Sequence, residues 1–279
     1  DDSTTYTYDS VGRVIKTAKS SLFGNCQFTY TLYDDAGNVL ATACGRKNAD
    51  NPVPTTLEEI ENLYSNDPQD PDYDLKKDTR VTVHEYDTLG RRFKTISNAG
   101  TSFAQTTMTA YDALNRVIRT IVNYKEDTNI PNPFTASHSA FSHGADDNEN
   151  LVTDTAYNAR GMVRKQTDVL GNITLLGYDD AGRVIKTIQS ASSGGYNNDY
   201  IGTTPDPDLS DYVAISDADK DLITTNTYDR VGNLVMTVDV LGNKHFTVYD
   251  ALNRPIKTVR NAKTTATIAK EIGDSGYVA

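Results

Sequence analysis

Apolar and polar residues alternate along short stretches of this chain, and each stretch follows the same motif. In Tyr8–Thr17 a Tyr-Asp pair is followed by Gly12, Arg13 and the run Val-Ile-Lys-Thr. Counted from the motif's Tyr, the seventh following residue is apolar in seven of eight copies, and the ninth is Thr in seven. Such alternation, rich in β-branched residues, predicts half-buried β-strands whose apolar side chains face inward.

A basic residue comes next after the inward-facing position in six copies, and we expect it to face solvent. An outward Lys or Arg would discourage pairing between the edges of separate sheets. These six residues are Lys16, Lys94, Arg119, Lys165, Lys186 and Lys257.

The Tyr-Asp motif itself predicts a tight turn before each of these strands. Its Asp can accept a hydrogen bond from the backbone N–H two residues later. The fourth residue after Tyr is Gly in six copies and Asn in two, and these residues adopt positive φ most readily. The predicted turn residues are Tyr8, Asp9, Gly12; Tyr33, Asp34, Gly37; Tyr86, Asp87, Gly90; Tyr111, Asp112, Asn115; Tyr178, Asp179, Gly182; Tyr228, Asp229, Gly232; and Tyr249, Asp250, Asn253.

The copy at Tyr157-Asn158, with Gly161, departs most from this pattern. Arg160 and Arg164 stand where the other copies have small or apolar residues. Either this strand faces water on both sides, or acidic groups meet its arginines. We favour the second alternative, because a buried Arg without a partner is costly.

The spacing of the motifs shows that they come in pairs. Steps between successive Tyr residues are 25, 53, 25, 46, 21, 50 and 21 residues. A further turn lies within each pair, at Phe23-Gly24-Asn25, Asn98-Ala99-Gly100, Asp168-Val-Leu-Gly171 and Asp239-Val-Leu-Gly242. We therefore predict an all-β antiparallel meander in a single continuous array, residues 1–279, made of four double units at about 1–80, 81–152, 153–223 and 224–279.

Three long inserts separate the double units, at residues 43–80, 121–152 and 188–222. Their formal charges are −4, −4 and −6, against −11 for the whole chain, so the strands carry about +3. The segment Leu57–Tyr64 has helical apolar spacing and is preceded by Thr55-Thr56, which offer an N-cap, so it predicts one short helix. Because the inserts recur at one place in each unit, they indicate one decorated face or edge of the sheet.

Composition narrows the classes of partner. The chain has no run of about twenty apolar residues, so we expect no membrane span. Its acidity disfavours nucleic acid, whose phosphates are bound by Lys and Arg patches. We also expect these 279 residues to be a segment of a longer protein, because they start just ahead of a motif and stop within what resembles another insert.

The two cysteines, Cys26 and Cys44, flank the turn at Tyr33-Asp34 at similar distances. A hairpin would bring them nearly opposite each other, and in an oxidising compartment they would form a disulfide. The alternative is two free thiols packed as small apolar groups. We favour the disulfide.

Candidates for metal binding or catalysis are weak. Asp217, Asp219 and Asp221 have the spacing that opens a calcium loop, but Leu222 replaces its turn glycine, and a solvated acidic loop is the alternative that we favour. The histidines lack the spacing of metal ligands. Nothing resembles a nucleophile with its base, paired carboxylates or a phosphate loop, so we expect no enzyme and no cofactor, with calcium as a weak candidate.

The run Tyr-Asp-x-x-Gly-Arg-Val-Ile-Lys-Thr, as in Tyr8–Thr17 and Tyr178–Thr187, resembles the YD repeats of the RHS family, large bacterial proteins related to toxin cocoon components and teneurins. This resemblance implies a β-strip that winds as a spiral or solenoid in a secreted or cell-surface protein. Members that release a toxin carry an Asp-Pro-x-Gly segment, which is absent from this sequence. Self-cleavage and toxin activity are therefore not carried over.

The expected function is a non-enzymatic structural segment of an extracellular shell, tube or fibre. Its expected partners are neighbouring repeats or other copies of the protein. One alternative is an adhesion or carbohydrate-binding module that uses insert tyrosines such as Tyr196, Tyr200 and Tyr212. The other is the wall of a cocoon that encloses a toxin polypeptide.

Overall fold

The computed structural model describes residues 3–19, 28–45, 53–63, 79–127, 129–130, 132–141, 148–191, 209, 212 and 221–262. The chain divides into two compact units, Asp1–Val152 and Thr153–Ala279. The described residues contain sixteen β-strands, one α-helix of five residues and one 3₁₀ turn. All strand pairings are antiparallel between neighbours in the chain, which confirms the predicted all-β meander.

In the first unit, the strands β1 to β8 pair in sequence order. The helix α1, Leu57–Glu61, lies in the first insert, and the side chain of its N-cap Thr56 accepts a hydrogen bond from the Glu59 N–H. The strands are β1 Thr4–Tyr8, β2 Val14–Lys19, β3 Phe28–Tyr33, β4 Val39–Gly45, β5 Arg80–Tyr86, β6 Arg92–Ser97, β7 Gln105–Tyr111 and β8 Val117–Val122.

The second unit repeats this arrangement. Its strands also pair in sequence order, and β9 starts at the boundary between the units. The strands are β9 Leu151–Tyr157, β10 Val163–Thr167, β11 Ile173–Tyr178, β12 Val184–Gln189, β13 Leu222–Tyr228, β14 Leu234–Val238, β15 Lys244–Tyr249 and β16 Pro255–Ala262.

Each Tyr-Asp hairpin contains a β-bulge. In β3 and β4, Tyr33 pairs with Val39 and Leu32 with Ala41, so Leu40 has no cross-strand partner. A bulge adds one residue to one strand and increases the local twist. The extra residue that the strand register skips is always the seventh after Tyr: Ile15, Leu40, Phe93, Ile118, Arg164, Ile185, Val235 and Ile256.

Residues from the first insert cover one face of strands β3 to β6. Ile60 of α1 is fully buried against this face. Tyr30, Ala43 and Val81 stand opposite one another on successive strands and belong to the same cluster. Burying such side chains contributes about 25 cal/mol per Å² of apolar surface. We call this side of the sheet the covered face.

The second and third inserts pack on their strands in the same way. In the first unit, Ile130 and Phe141 of the second insert contact Met108 and Ile121 of the sheet. In the second unit, residues of the third insert contact strands β11 and β12. The cluster there consists of Leu175, Ile188, Ala191, Leu209 and Tyr212.

The opposite face is lined by threonines and carries no insert in the described residues. Thr31 pairs with Thr42, and Thr42 pairs with Thr82. These residues are sequence neighbours of the covered ones, and alternation along a strand places them on the other side. We call this side the hydroxyl face. Its further cross-strand pairs are Thr17–Thr29, Thr95–Thr107, Thr109–Thr120, Thr187–Thr224 and Thr247–Thr258.

The expectation that the basic residues face solvent is wrong for Lys16, Lys94 and Arg119, whereas Lys257 is exposed. Lys16 pairs with Tyr30, and Lys94 pairs with Met108, so both lie in cross-strand rows of the covered face. Arg119 is only 9% exposed. The extra residue in each bulge shifts the alternation by one position, which the simple two-residue period does not include.

Glycine at the end of a turn is required by backbone geometry. Gly182 has φ +83°, and a Cβ there would meet only ordinary contacts, the nearest at 3.4 Å from the Met162 Sδ. We expect Gly182→Val to lower the free energy of unfolding by about 1–3 kcal/mol, because a β-branched residue is strained at positive φ.

Urea denaturation measures this change, and Gly182→Asn is the matched control. Asn115 and Asn253 occupy the same position with φ of 63° and 60°, so the Asn variant should lose much less stability. Equal losses in both variants would show that backbone strain is not the cause.

Candidate functional site

The polar residues of the chain converge at the ends of the strands that carry the Tyr-Asp turns. Within one turn, the Asp87 Oδ1 accepts hydrogen bonds from the N–H groups of Leu89 at 3.0 Å and Arg91 at 2.9 Å. Its Oδ2 accepts from the Arg91 Nε at 2.7 Å. The Gly90 N–H donates to the Asp87 carbonyl at 2.9 Å. A single carboxylate thus holds the whole turn.

These hydrogen bonds lower the pKa of the turn carboxyls. For Asp87, the backbone N–H of Arg91 is the largest cause, and its side chain adds to the effect. In the further turn of the fourth double unit, the Asn243 side-chain amide is the main cause that lowers the pKa of Asp239 to about 2. The pKa is also lowered for Asp9, Asp34, Asp112, Asp179, Asp229 and Asp250.

In three copies, the motif's Arg joins its turn to the next one. The Arg91 guanidinium lies 5.0 Å from the centre of the Tyr111 ring, and its Nη1 donates to the Asp112 carbonyl at 2.8 Å. In return, the Tyr111 hydroxyl donates to the Arg92 carbonyl at 2.9 Å. We call this set of contacts the turn tie.

The same tie recurs in both units. Arg13 lies over Tyr33 and donates to the Asp34 carbonyl. Arg183 lies over Tyr228 and donates to the Asp229 carbonyl. The described hydroxyl bonds all end six residues after the preceding Tyr: Tyr33 to Val14, Tyr86 to Val39, Tyr178 to Val163, Tyr228 to Val184 and Tyr249 to Leu234.

The irregular copy makes its tie from a different position. Met162 takes the place of the motif's Arg. Arg160, two residues earlier, donates to the Asp179 carbonyl at 2.7 Å and to the Asp180 carbonyl at 2.8 Å. The expected acidic partners of Arg160 are therefore backbone carbonyls. Arg164 is the bulge residue of this copy, and its acidic partner stays a prediction.

Two basic residues of the covered face hold the inserts through backbone carbonyls. The Arg119 Nη1 donates to the carbonyls of Pro133 at 3.0 Å and Ala136 at 2.6 Å, and the guanidinium lies 5.6 Å from the Phe141 ring centre. The Lys186 Nζ donates to the Leu209 carbonyl at 2.8 Å. Both insert segments are thereby fixed to the sheet.

The structure describes only one of the three candidate calcium ligands, Asp221. Asp217 and Asp219 lie outside the described residues. Asp221 is buried, has φ 55° and accepts a hydrogen bond from the Tyr212 hydroxyl. Within the described ranges, no group of three or more His, Cys, Asp or Glu residues could hold a metal ion. Calcium binding stays a prediction.

The cysteine register differs from the expected one. Cys44 pairs with Thr29, three residues along the chain from Cys26. The residue directly opposite Cys44 is therefore Thr29. Cys44 is not a free thiol, but Cys26 lies outside the described residues, so the disulfide between them stays a prediction.

Histidines have ordinary structural contacts where they are described. The Nδ1 of His84 lies 3.2 Å from the Thr95 Oγ1, and burial lowers the pKa of His84. The His245 Nε2 lies 3.3 Å from the Asp239 carboxylate.

Neither helix of the described part of the chain has the length and apolar character to cross a membrane.

Comparison with known proteins supports the resemblance found in the sequence. Residues 157–193 match the family model of the RHS repeat, which confirms the resemblance carried by the Tyr-Asp motifs. No curated protein matches the chain.

Solved structures that align with this chain include parts of two toxin complexes. TcdB2-TccC3-Cdc42 is 12% identical with a TM-score of 0.46, and the alignment covers 92% of this chain. The Photorhabdus luminescens Tc holotoxin pore is 15% identical with a TM-score of 0.32 over 94% of this chain. This chain spans about 12% of the length of either protein.

The turn carboxyls predict that acid weakens the fold. A carboxyl whose pKa is lower in the folded state than in the unfolded state stabilises the protein fully at pH values above its unfolded pKa, which is near 3.8. This contribution is lost as the pH falls through the pKa of the folded state, which is about 2 for Asp239. We therefore expect the urea midpoint to decrease between pH 5 and pH 2.

Asp239→Asn isolates one of these groups. Asn158 already occupies the Asp position in one copy, where its Oδ1 accepts the same two backbone hydrogen bonds. The variant should show a shallower decrease, by about one proton's contribution. An unchanged slope would contradict the assignment of this carboxyl.

Arg119→Met tests the attachment of the second insert. It removes both bonds to insert carbonyls but keeps much of the side-chain volume. We expect a loss of about 2 kcal/mol, because the carbonyls of two half-buried residues lose their charged donor. Hydrogen exchange should increase at residues 132–141, and Arg230→Met, at an exposed turn position, is the control that should change neither value.

Proposed function

We propose that this chain, which carries an RHS repeat at residues 157–193, is a non-enzymatic structural segment of a larger extracellular or cell-surface protein. It forms part of the wall of a shell, tube or fibre in which the β-strip winds as a solenoid. The observation that supports this role best is the turn tie, which repeats from one Tyr-Asp turn to the next.

The turn tie engages the charged side chains that catalysis would require. In the turn of β5 and β6, Asp87 is occupied by Arg91, and Arg91 by Tyr111 and the Asp112 carbonyl. The Asp87 carboxylate and the Arg91 guanidinium are thus engaged in contacts that hold neighbouring strands at a fixed spacing. A repeat whose charged groups serve each other in this way is suited to a mechanical role.

The difference between the two faces supports a wall. Acidic inserts pack on the covered face, while the hydroxyl face presents rows of paired threonines such as Thr31, Thr42 and Thr82. A sheet with one covered and one uncovered side can separate two environments. Neighbouring repeats are then its main partners, and an enclosed polypeptide is an alternative on the uncovered side.

Of the three tyrosines that the adhesion alternative would use to bind a glycan, Tyr212 is buried. Tyr212 is 8% exposed, lies in the cluster on the covered face and donates to Asp221. It is therefore a structural residue of the insert. Tyr196 and Tyr200 lie outside the described residues and remain candidates for recognition of a glycan.

Electron microscopy of the longer parent protein tests the proposed role. Closed shells, tubes or extended fibres are the expected result, because ties between neighbouring turns propagate along the strip. Separate globules joined by flexible linkers would contradict it.

A glycan array tests the adhesion alternative on this chain. We expect no selective binding by the wild type. Selective binding that is lost in the double variant Tyr196→Ser and Tyr200→Ser, with an unchanged melting temperature, would favour an adhesion module. The matched control is Tyr6→Ser, at an exposed tyrosine outside the inserts.

A further inference from the structure

One turn tie is made only in part, between the turn of β3 and β4 and the turn of β5 and β6. Its hydroxyl contact is made, because the Tyr86 hydroxyl donates to the Val39 carbonyl at 2.9 Å. Asn38 stands at the position of the motif's Arg. Within the part of the chain that the structure describes, no cation lies over the Tyr86 ring.

Asn38 closes its own turn but does not reach the next one. Its N–H donates to the Asp34 Oδ1 at 2.7 Å, and its Nδ2 donates to the Oδ2 at 2.8 Å. In a complete tie, Arg91 makes the same contacts with Asp87 through its N–H and its Nε. Arg91 then continues through its Nη1 to the following turn. Asn38 therefore replaces only the inner half of the arginine.

The place that a guanidinium would take beside Tyr86 is open. In complete ties, the guanidinium lies close to the glycine of the following turn. A Cβ built on Gly37 would be 3.8 Å from the Arg13 Nη1, and the guanidinium beside Gly232 lies at the same distance. A Cβ built on Gly90, the equivalent residue after Tyr86, has no described atom within 4 Å.

The acceptor for such a guanidinium is also in place. In a complete tie, the Asp112 carbonyl accepts from the Asn115 N–H at 3.2 Å and from the Arg91 Nη1 at 2.8 Å. The Asp87 carbonyl accepts from the Gly90 N–H at 2.9 Å and from no other described residue. Because a carbonyl oxygen has two lone pairs, the Asp87 carbonyl can accept a second hydrogen bond.

The charge of this turn favours a cation. Residues 33–38 contain Asp34 and Asp35 and no basic residue, so their formal charge is −2. The corresponding six residues of the other seven motif copies have charges between −1 and +1. The hydrogen bond from the Asn38 side chain is the main cause that lowers the pKa of Asp34, which is therefore ionised at neutral pH.

The other copy with Asn at this position is linked within the chain. The Asn233 Nδ2 donates to the Asp229 Oδ2 at 2.8 Å and to the Asn253 Oδ1 at 3.0 Å, so it joins its turn to the next one. Gly90 stands at the position of Asn253 and offers Asn38 no such acceptor.

We propose that the turn before Tyr86 binds the guanidinium of an arginine side chain from another polypeptide segment. The guanidinium lies over the Tyr86 ring and donates to the Asp87 carbonyl. Arg13 makes these two contacts in the preceding tie. A planar cation with several N–H donors serves both groups at once, whereas an ammonium is a compact and more strongly hydrated charge. We call this the guanidinium site.

Nuclear magnetic resonance of the 279-residue chain with isotope-labelled tyrosine tests the guanidinium site. N-acetyl-arginine amide is the probe, and N-acetyl-citrulline amide has a similar shape without the charge. We expect the arginine compound to shift the Tyr86 ring signals, which are identified by their loss in Tyr86→Phe. It should bind about tenfold more tightly than the citrulline compound. No shift of these signals, or equal affinities for the two compounds, would overturn the proposal.

Asn38→Arg fills the guanidinium site from within the chain. The introduced side chain should complete the tie, abolish the response of Tyr86 to the arginine compound and raise the urea midpoint. Asn233→Arg makes the same change at the equivalent position of another copy and should leave the Tyr86 response unchanged. A Tyr86 response that persists in Asn38→Arg would contradict the assignment.

Arg183→Asn should create a second guanidinium site. Asn is compatible with this turn position, as Asn38 shows, and the following turn carries Gly232 as the turn after Asn38 carries Gly90. In this variant the arginine compound should shift the Tyr228 ring signals, which it leaves unchanged in the wild type. A folded variant whose Tyr228 signals do not respond would show that the ring and the carbonyl are not sufficient, and would overturn the proposal.

The same titration on the longer parent protein identifies the source of the arginine. A response of Tyr86 that is retained there assigns the arginine to a separate partner, and one that is lost assigns it to another segment of the parent. The guanidinium site goes beyond the proposed wall function. Its failure would leave that function standing, because the wall is contradicted only by the shape of the parent protein.

Discussion

The carboxylate of the motif's Asp is the group on which the structure depends. It closes its own turn through two backbone N–H groups and orients the Arg that reaches the following turn. Without that orientation, the guanidinium would have to lose the freedom of a long side chain before it could bind a carbonyl. The charge pair between Arg91 and Asp87 is partly exposed and contributes little by itself. Its importance lies in positioning, since one fixed guanidinium serves the turn, the neighbouring ring and the neighbouring backbone.

The sequence predicts correctly those features that depend on a residue type with a single structural role. Gly12, Gly37 and the equivalent residues have positive φ, and strands follow the turns where the alternating pattern places them. The prediction failed at the bulges, because a period of two contains no extra residue. The signal was present, since two adjacent apolar residues such as Val14-Ile15 interrupt the alternation. That single shift moved Lys16 and Arg119 to the covered face.

The inserts and the sheet carry net charges of opposite sign. The strands carry a small positive excess and the inserts a large negative one, yet the bonds that join them end on neutral carbonyls, as at Pro133 and Leu209. A cation under an insert needs acceptors, and a loop without regular secondary structure has carbonyls to offer. The sequence could not reveal these contacts, because any residue supplies a carbonyl.

Arg160 shows that the contact between turns is maintained by geometry rather than by position in the motif. A guanidinium that starts two residues earlier reaches the same Asp179 carbonyl that the motif's own Arg would reach. An Arg at either of the two positions can therefore make this contact. This copy departs from the other motifs at Arg160, Met162 and Arg164, although its role in the sheet is intact. In proteins of this kind, the number of working repeats is better counted from compensating pairs of residues than from matches to a consensus.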